Sequence, residues 1–203
     1  MKIFSVTAEM APFCRTGGLG DVAGALPEAM TSAEPEITYV SLLPLYDQVR
    51  AALDSASVVL RDSGVHHSVA IAGRSLNTRW LKGPGGPRRE VFFLECDELF
   101  SGPGLYQMPD GSALSLAHRF GGFIRTVYET MNSLSDGQPD IVHLHDWHAG
   151  PLAALIRGGR PQGGAPKVAL TVHNLAYQGW FPKSEVDGLM EVESDYISFL
   201  RSG

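Results

Sequence analysis

Met10-Ala-Pro-Phe-Cys-Arg-Thr-Gly-Gly-Leu-Gly-Asp-Val22 joins a short apolar run, Lys2-Ile-Phe-Ser-Val-Thr-Ala8, to a segment in which Leu19, Val22, Ala23, Leu26 and Met30 recur at helical spacing. The order is strand, glycine-rich loop, helix. Gly17 and Gly18 are expected to let the backbone approach a ligand and to take φ angles that other residues avoid. The unpaired N–H groups at the start of the following helix suit phosphate oxygens. Arg15 lies two residues before the first glycine, where a guanidinium fork can hold a phosphate bidentately. Spacing alone leaves a second reading open, since neither a Gly-x-Gly-x-x-Gly nor a Walker frame is present and a Gly-Gly pair also serves a tight strand-to-helix turn.

Outward from this loop the pattern alternates. Ile37-Thr-Tyr-Val-Ser-Leu-Leu43 reads as a second strand stopped by Pro44, and Pro27 is expected to kink or shorten the helix before it. Val58-Val-Leu60, His67-Ser-Val-Ala-Ile71, Thr78-Arg-Trp-Leu81 and Val91-Phe-Phe-Leu94 are β-type runs with no helix between them, a hairpin excursion from a parallel core. Gly83-Pro-Gly-Gly-Pro87 reads as its mobile tip. A helix follows over Ala117 to Leu134, then strands Asp140-Ile-Val-His-Leu144 and Lys167-Val-Ala-Leu-Thr-Val172 with Trp147 to Arg157 helical between them. Strands alternating with helices predict an α/β fold with a Rossmann-like, doubly wound parallel sheet, whose ligands sit beyond the carboxyl ends of the strands. Three polar clusters fall there: Glu9 to Gly18, His145 to His148, and His173 to Gln178.

The chain has 203 residues, enough for one substantial α/β domain that buries roughly 70% of its unfolded surface. A net charge of −6 with no Lys/Arg-rich run argues against nucleic acid or an anionic membrane as the main partner. The N-terminus does not read as a signal peptide and no apolar stretch reaches the length of a membrane span. Cys14 and Cys96, the two cysteines, are expected as free thiols in a reducing cytoplasm.

His143-Leu-His-Asp-Trp-His148 admits a metal reading, as in a metallo-hydrolase, because closely spaced histidines are common zinc ligands. It equally admits sugar recognition, with Asp146 and His148 bonding hydroxyls and Trp147 offering a face to a pyranose ring. Asp146 is also a possible helix N-cap. Glu9 is either a solvated loop carboxylate or a site residue, and Asp21 falls in the first helical turn, where a carboxylate suits the helix dipole. His173 is a structural cap or a catalyst, and Tyr177 and Gln178 are as readily loop packing as site.

The run Ser5-Val-Thr-Ala-Glu9-Met-Ala-Pro-Phe13 with Arg15-Thr-Gly-Gly-Leu-Gly-Asp-Val-Ala-Gly-Ala-Leu-Pro27 closely resembles the N-terminal signature of bacterial glycogen synthases and plant starch synthases. His145-Asp-Trp-His-Ala-Gly150, His173-Asn-Leu-Ala-Tyr-Gln-Gly179 and Ile197-Ser-Phe-Leu-Arg201 are similar to further motifs of that family. The resemblance implies residues 1–203 to be the N-terminal half of a two-domain GT-B glycosyltransferase, with the C-terminal nucleotide-binding domain outside them. It implies a retaining transfer of glucose from ADP-glucose to the non-reducing 4-hydroxyl of an α-1,4-glucan, without a bound metal or other cofactor. The isolated half is expected to be inactive, and a non-catalytic carbohydrate- or nucleotide-binding module is the alternative.

Carried over residue by residue, the resemblance puts Arg15 where the family has a lysine on the sugar nucleotide, beside Gly17 and Gly18. Glu9 lies near the acceptor, Asp146, Trp147 and His148 on the glucan and glucose side, and Asn174 on the glucose. His173 lies beside the transferred glucose and is assigned, with Asp21, a catalytic role. Arg119-Phe120 also matches, but Ala113-Leu-Ser-Leu-Ala-His118 replaces the Asp-Asn pair and aromatic that normally precede it.

Overall fold

The computed structural model describes residues 1–159, 164–186 and 189. In chain order the elements are β1 (Lys2–Val6), α1 (Gly18–Ala33), β2 (Thr38–Pro44), α2 (Asp47–Ser55), β3 (Arg61–Ile71), β4 (Arg74–Lys82) and β5 (Arg89–Glu95). They continue with α3 (Asp97–Phe100), α4 (Leu116–Thr130), a 3-10 turn at Met131–Ser133, β6 (Ile141–His145), α5 (Asp146–Ala149), α6 (Leu152–Gly158), β7 (Lys167–Thr171) and α7 (Lys183–Val186).

The strands form one sheet in the order β3-β4-β5-β2-β1-β6-β7. β5, β2, β1, β6 and β7 are parallel, while β4 runs antiparallel to both β3 and β5. The parallel core and its hairpin excursion therefore stand as expected. After β1 the chain moves to one side of that strand through β2 and β5, then returns to its other side with β6. With right-handed crossovers this reversal sends α1 and α4 to opposite faces of the sheet. It also opens a crevice beyond the carboxyl ends of β1 and β6, the switch point where such sheets bind ligands.

The core is apolar and continuous on the hairpin side. Trp80 of β4 is fully buried, and its Nε1 donates to Thr130 Oγ1 at 2.8 Å, tying the hairpin to α4. Phe13 meets Phe93 edge-on at 5.1 Å, which docks the base of the glycine loop on β5.

Several local expectations change. Val58–Leu60 is not strand; β3 begins at Arg61. α1 runs through the buried Pro27, where apolar burial offsets one lost helical hydrogen bond. The segment from Trp147 to Arg157 is two helices, because Pro151 has no N–H to continue the first. The Gly83–Pro87 cluster is a hydrogen-bonded turn, with Gly83 N–H on Val91 O (2.9 Å) and a reciprocal Gly86–Arg89 pair. Its glycines serve close packing: a Cβ at Gly83 would lie 2.4 Å from the Phe93 ring. Ile197–Arg201 lies outside the described residues.

Candidate active site

All three polar clusters meet the crevice from the ends of β1, β6 and β7. The loop after β1 is closed by its own backbone, with Met10 N–H on Cys14 O and Ala11 N–H on Gly20 O. Two glycines allow this closure. A Cβ at Gly20 would lie 2.6 Å from Arg15 Cβ, and one at Gly24 would lie 2.5 Å from Ala11 O.

Gly17 and Gly18 differ from this pair and from expectation. Gly17 is in extended backbone (φ −166°), neither has positive φ, and a Cβ at either would meet nothing within 4 Å. Conformation and internal packing therefore do not require glycine at these two positions. They leave the start of the 16-residue helix α1 bare: the Gly20 N–H turns back to Gly17 O at 3.2 Å, and the Gly18 and Leu19 amides lack helical acceptors. Arg15 stands beside this surface, its Nη1 on Asp21 Oδ1 at 2.6 Å, and both side chains are largely exposed.

Glu9 is not a solvated carboxylate. It is buried, and it accepts from Thr16 Oγ1 (2.7 Å), the Thr16 backbone N–H and the Tyr106 hydroxyl. Burial, together with the neighbouring Glu9 carboxylate, raises the Tyr106 phenol well above its usual range, so Tyr106 is the donor. The Tyr106 ring stacks on His148 (4.9 Å between centroids, 25° between planes). His148 also packs on Phe120 and Trp147. Trp147 in turn lies against Phe120 and Phe181, and Gly179 (φ +68°) passes so close that a Cβ there would be 2.4 Å from its ring.

Asp146 has φ +58°, and its Oδ1 accepts the His173 backbone N–H at 2.6 Å rather than capping its own helix. His145 Nδ1 lies 3.0 Å from His173 Nε2, and its Nε2 lies 3.1 Å from Ser5 Oγ. His143 Nε2 contacts Thr171 Oγ1 at 2.8 Å. Burial lowers the pKa of both His145 and His148 to about 3, for His145 with the added effect of His143 and His173 nearby, so both are neutral at physiological pH. Asn174 Oδ1 accepts from Ala176 N–H at 2.9 Å, turning the exposed loop that carries Tyr177 and Gln178.

The histidines of the run are turned to other partners. Both His145 nitrogens and His143 Nε2 are committed to the protein, and among the described residues no three His, Cys, Asp or Glu side chains are placed to hold an ion. Arg119 is likewise inside the structure. Fully buried, it donates to the carbonyls of Leu99, Ser101, Gly104 and Leu105, so it shapes the 99–106 segment and does not face a ligand.

The site thus contains one connected chain, Thr16–Glu9–Tyr106–His148–Trp147, and a second, Ser5–His145–His173–Asp146, while Arg15 and Asp21 pair on its open rim. Tyr106 and Ser5 escaped sequence reasoning. Tyr106 sits in no motif, and its loop position gave no period to read; Ser5 opens the first family-like run, but as a strand residue it carried no role of its own.

The sequence profile described as the starch synthase catalytic domain matches residues 2–203. The chain belongs to the starch synthase catalytic domain family. Among relatives of this starch synthase domain, the glycogen synthase of Rhodopseudomonas palustris (strain BisB18) is 38% identical over 192 residues, covering 88% of this chain and 35% of that protein. The glycogen synthase of Syntrophotalea carbinolica is 33% identical over 216 residues, covering the whole of this chain and 43% of its own length. The solved catalytic domain of starch synthase IV from Arabidopsis thaliana, bound to ADP and acarbose, superposes with a TM-score of 0.76 at 27% identity. That match covers 97% of this chain and 38% of the other. The domain therefore spans about two-fifths of the length of the proteins it matches.

Proposed function

We propose that this starch synthase domain is the acceptor-side half of a cytoplasmic, GT-B-type retaining glucosyltransferase that moves glucose from ADP-glucose to the non-reducing 4-hydroxyl of an α-1,4-glucan. The observation that carries the reading is the bare helix start at Gly17 and Gly18. Since nothing in the chain itself fills the space of a side chain there, an anion can reach the amides directly. Arg15 beside it adds a guanidinium whose Nη1 is held by Asp21, leaving its other N–H groups for diphosphate oxygens.

In this reading the amides and Arg15 take up the charge of the departing diphosphate, which is where the transition state needs stabilisation. His173, fixed through its backbone by Asp146 and through its ring by His145, orients the glucose on the opposite side, with Asn174 next to it. Trp147, half-buried, presents aromatic surface to the glucan, and the buried His148 backs it from within. The nucleotide base and the further cationic groups of the reaction are supplied from outside residues 1–203, so the domain by itself does not transfer glucose. Among the described residues no helix is long and apolar enough to cross a membrane, and both cysteines are free thiols, in keeping with the proposed setting.

The test is a chimera in which residues 1–203 replace the matching part of the R. palustris glycogen synthase. Radiolabelled glucose should pass from ADP-glucose to glycogen in the chimera, and not in its His173→Ala form or with the isolated domain. A folded chimera without transfer, alongside an isolated domain that binds maltooligosaccharide, would instead favour a non-catalytic binding module.

A further inference from the structure

We propose that Tyr106 is a positioning residue for the glycine loop, acting through Glu9. Glu9 receives three hydrogen bonds. Two come from Thr16, the residue just before Gly17, and one comes from Tyr106, which is far away in the chain. Glu9 lies three residues past β1, its backbone bonded to Thr7 Oγ1 while the Thr7 N–H bonds Leu42 O of β2, so its side chain links a segment tied to the sheet with the loop's far limb. Without Tyr106 the buried carboxylate would lack its third donor and have reason to seek another, at the expense of its bonds to Thr16.

Tyr106 is well placed to be the fixed point. The segment leading to it is held by Arg119, whose guanidinium takes the carbonyls of Leu99 (2.6 Å), Ser101 (3.0 Å), Gly104 (2.8 Å) and Leu105 (2.7 Å). The ring stacks on His148 and meets Phe120 at 6.1 Å, the three rings forming one cluster, since Phe120 and His148 are themselves 4.8 Å apart. Its two ends therefore report to different parts of the crevice: the hydroxyl to the glycine loop, the ring to the His145–His148 cluster. Movement of either would be felt by the other through one side chain. The catalytic consequence, an anion-binding loop held in register with the sugar-binding cluster, rests on the proposed function; the mechanical coupling does not.

Amide hydrogen exchange on the 203-residue chain tests the coupling directly. Tyr106→Phe keeps the ring stack and removes only the hydroxyl. Exchange at the Thr16 amide should accelerate at least tenfold, and by more than that of the β5 amides, in a variant that still folds. Glu9→Gln, which weakens acceptance at the same point, should accelerate the same amide. ADP binding by calorimetry is the second arm, expected to weaken in both variants. If wild type binds no ADP, the donor-site reading is in trouble while the exchange result still decides this proposal. Unchanged Thr16 exchange in a folded variant overturns it. Failure of both variants to fold overturns it too, since a local positioning contact is not needed for the whole sheet.

Discussion

The carboxylate of Asp146 holds the backbone of His173: Oδ1 accepts that N–H at 2.6 Å, across from the end of β6 to the end of β7. Asp146 does so from a left-handed conformation, φ +58°, which Asp and Asn tolerate better than other side-chain-bearing residues. Asp146→Asn should therefore keep both the acceptor and the backbone and melt close to wild type. Asp146→Ala loses the acceptor and keeps the strain, and should cost about 1–3 kcal/mol in urea unfolding. Equal midpoints for the Ala variant and wild type would show that the bond does not hold the turn.

Arg15 offers a contrast. Its pair with Asp21 is exposed on both sides, and exposed ion pairs contribute only about 0–1 kcal/mol. Arg15→Ala should leave the urea midpoint nearly unchanged. In the glycogen synthase chimera the same change should weaken ADP-glucose use by about 1.5–3 kcal/mol, the worth of a charge-assisted hydrogen bond. Arg15→Lys should retain much of the activity. Unchanged kinetics in the Ala chimera would remove Arg15 from the anion cradle.

The difference between Asp146 and Arg15 also marks what the sequence made legible. Short-range patterns were readable: alternating β runs, the helical period from Ala117 onward, and three polar clusters placed where parallel strands end. What sequence could not reveal is which side chain meets which across the fold. Glu9 looks like a loop carboxylate until Tyr106, on a loop shaped by buried Arg119, arrives against it. Asp146 looks like a helix cap because its neighbours are helical, yet the nearest orphan N–H belongs to another strand's end. Gly17 and Gly18 stood out for a flexibility they do not use, whereas Gly20 and Gly24, less conspicuous, are the glycines that packing demands.

The histidine run yields a simple chemical prediction. With His143 and His145 hydrogen-bonded to Thr171, Ser5 and His173, protein purified without chelator should carry well under one equivalent of zinc by elemental analysis. A full equivalent that disappears in a His145→Ala variant would restore the metal reading.

Both thiols should be cryptic. Cys14 and Cys96 are buried, and burial is the main reason that each thiol is pushed up to about 12. At pH 8 that leaves thiolate fractions on the order of 10⁻⁴, too small for ready disulfide exchange. A thiol-disulfide reagent such as Ellman's should release almost no colour from native chain and two equivalents after urea is added. Rapid stoichiometric labelling of the folded chain would contradict this burial.

Acid should destabilise the domain through two buried histidines. Unfolded, His145 and His148 titrate near 6.5; folded, burial lowers both to about 3. Between these values the unfolded chain holds more protons, so stability is complete above about pH 6.5 and declines as pH falls toward 3. At pH 5 each histidine should withdraw about 2 kcal/mol. The two can be separated, because His145 is bonded to Ser5 and His173 whereas His148 Nδ1 has no hydrogen-bond partner among the described residues and its ring packs among Tyr106, Phe120 and Trp147. His148→Phe keeps an aromatic ring in that cluster and loses no hydrogen bond. Urea midpoints measured from pH 7.5 to 4.5 should fall about half as steeply, on the share of the slope due to these histidines, in His148→Phe as in wild type. An unaltered slope would mean that His148 takes up its proton as readily in the fold as in the unfolded chain, and that its packing with Tyr106 is not the dry, neutral contact described here.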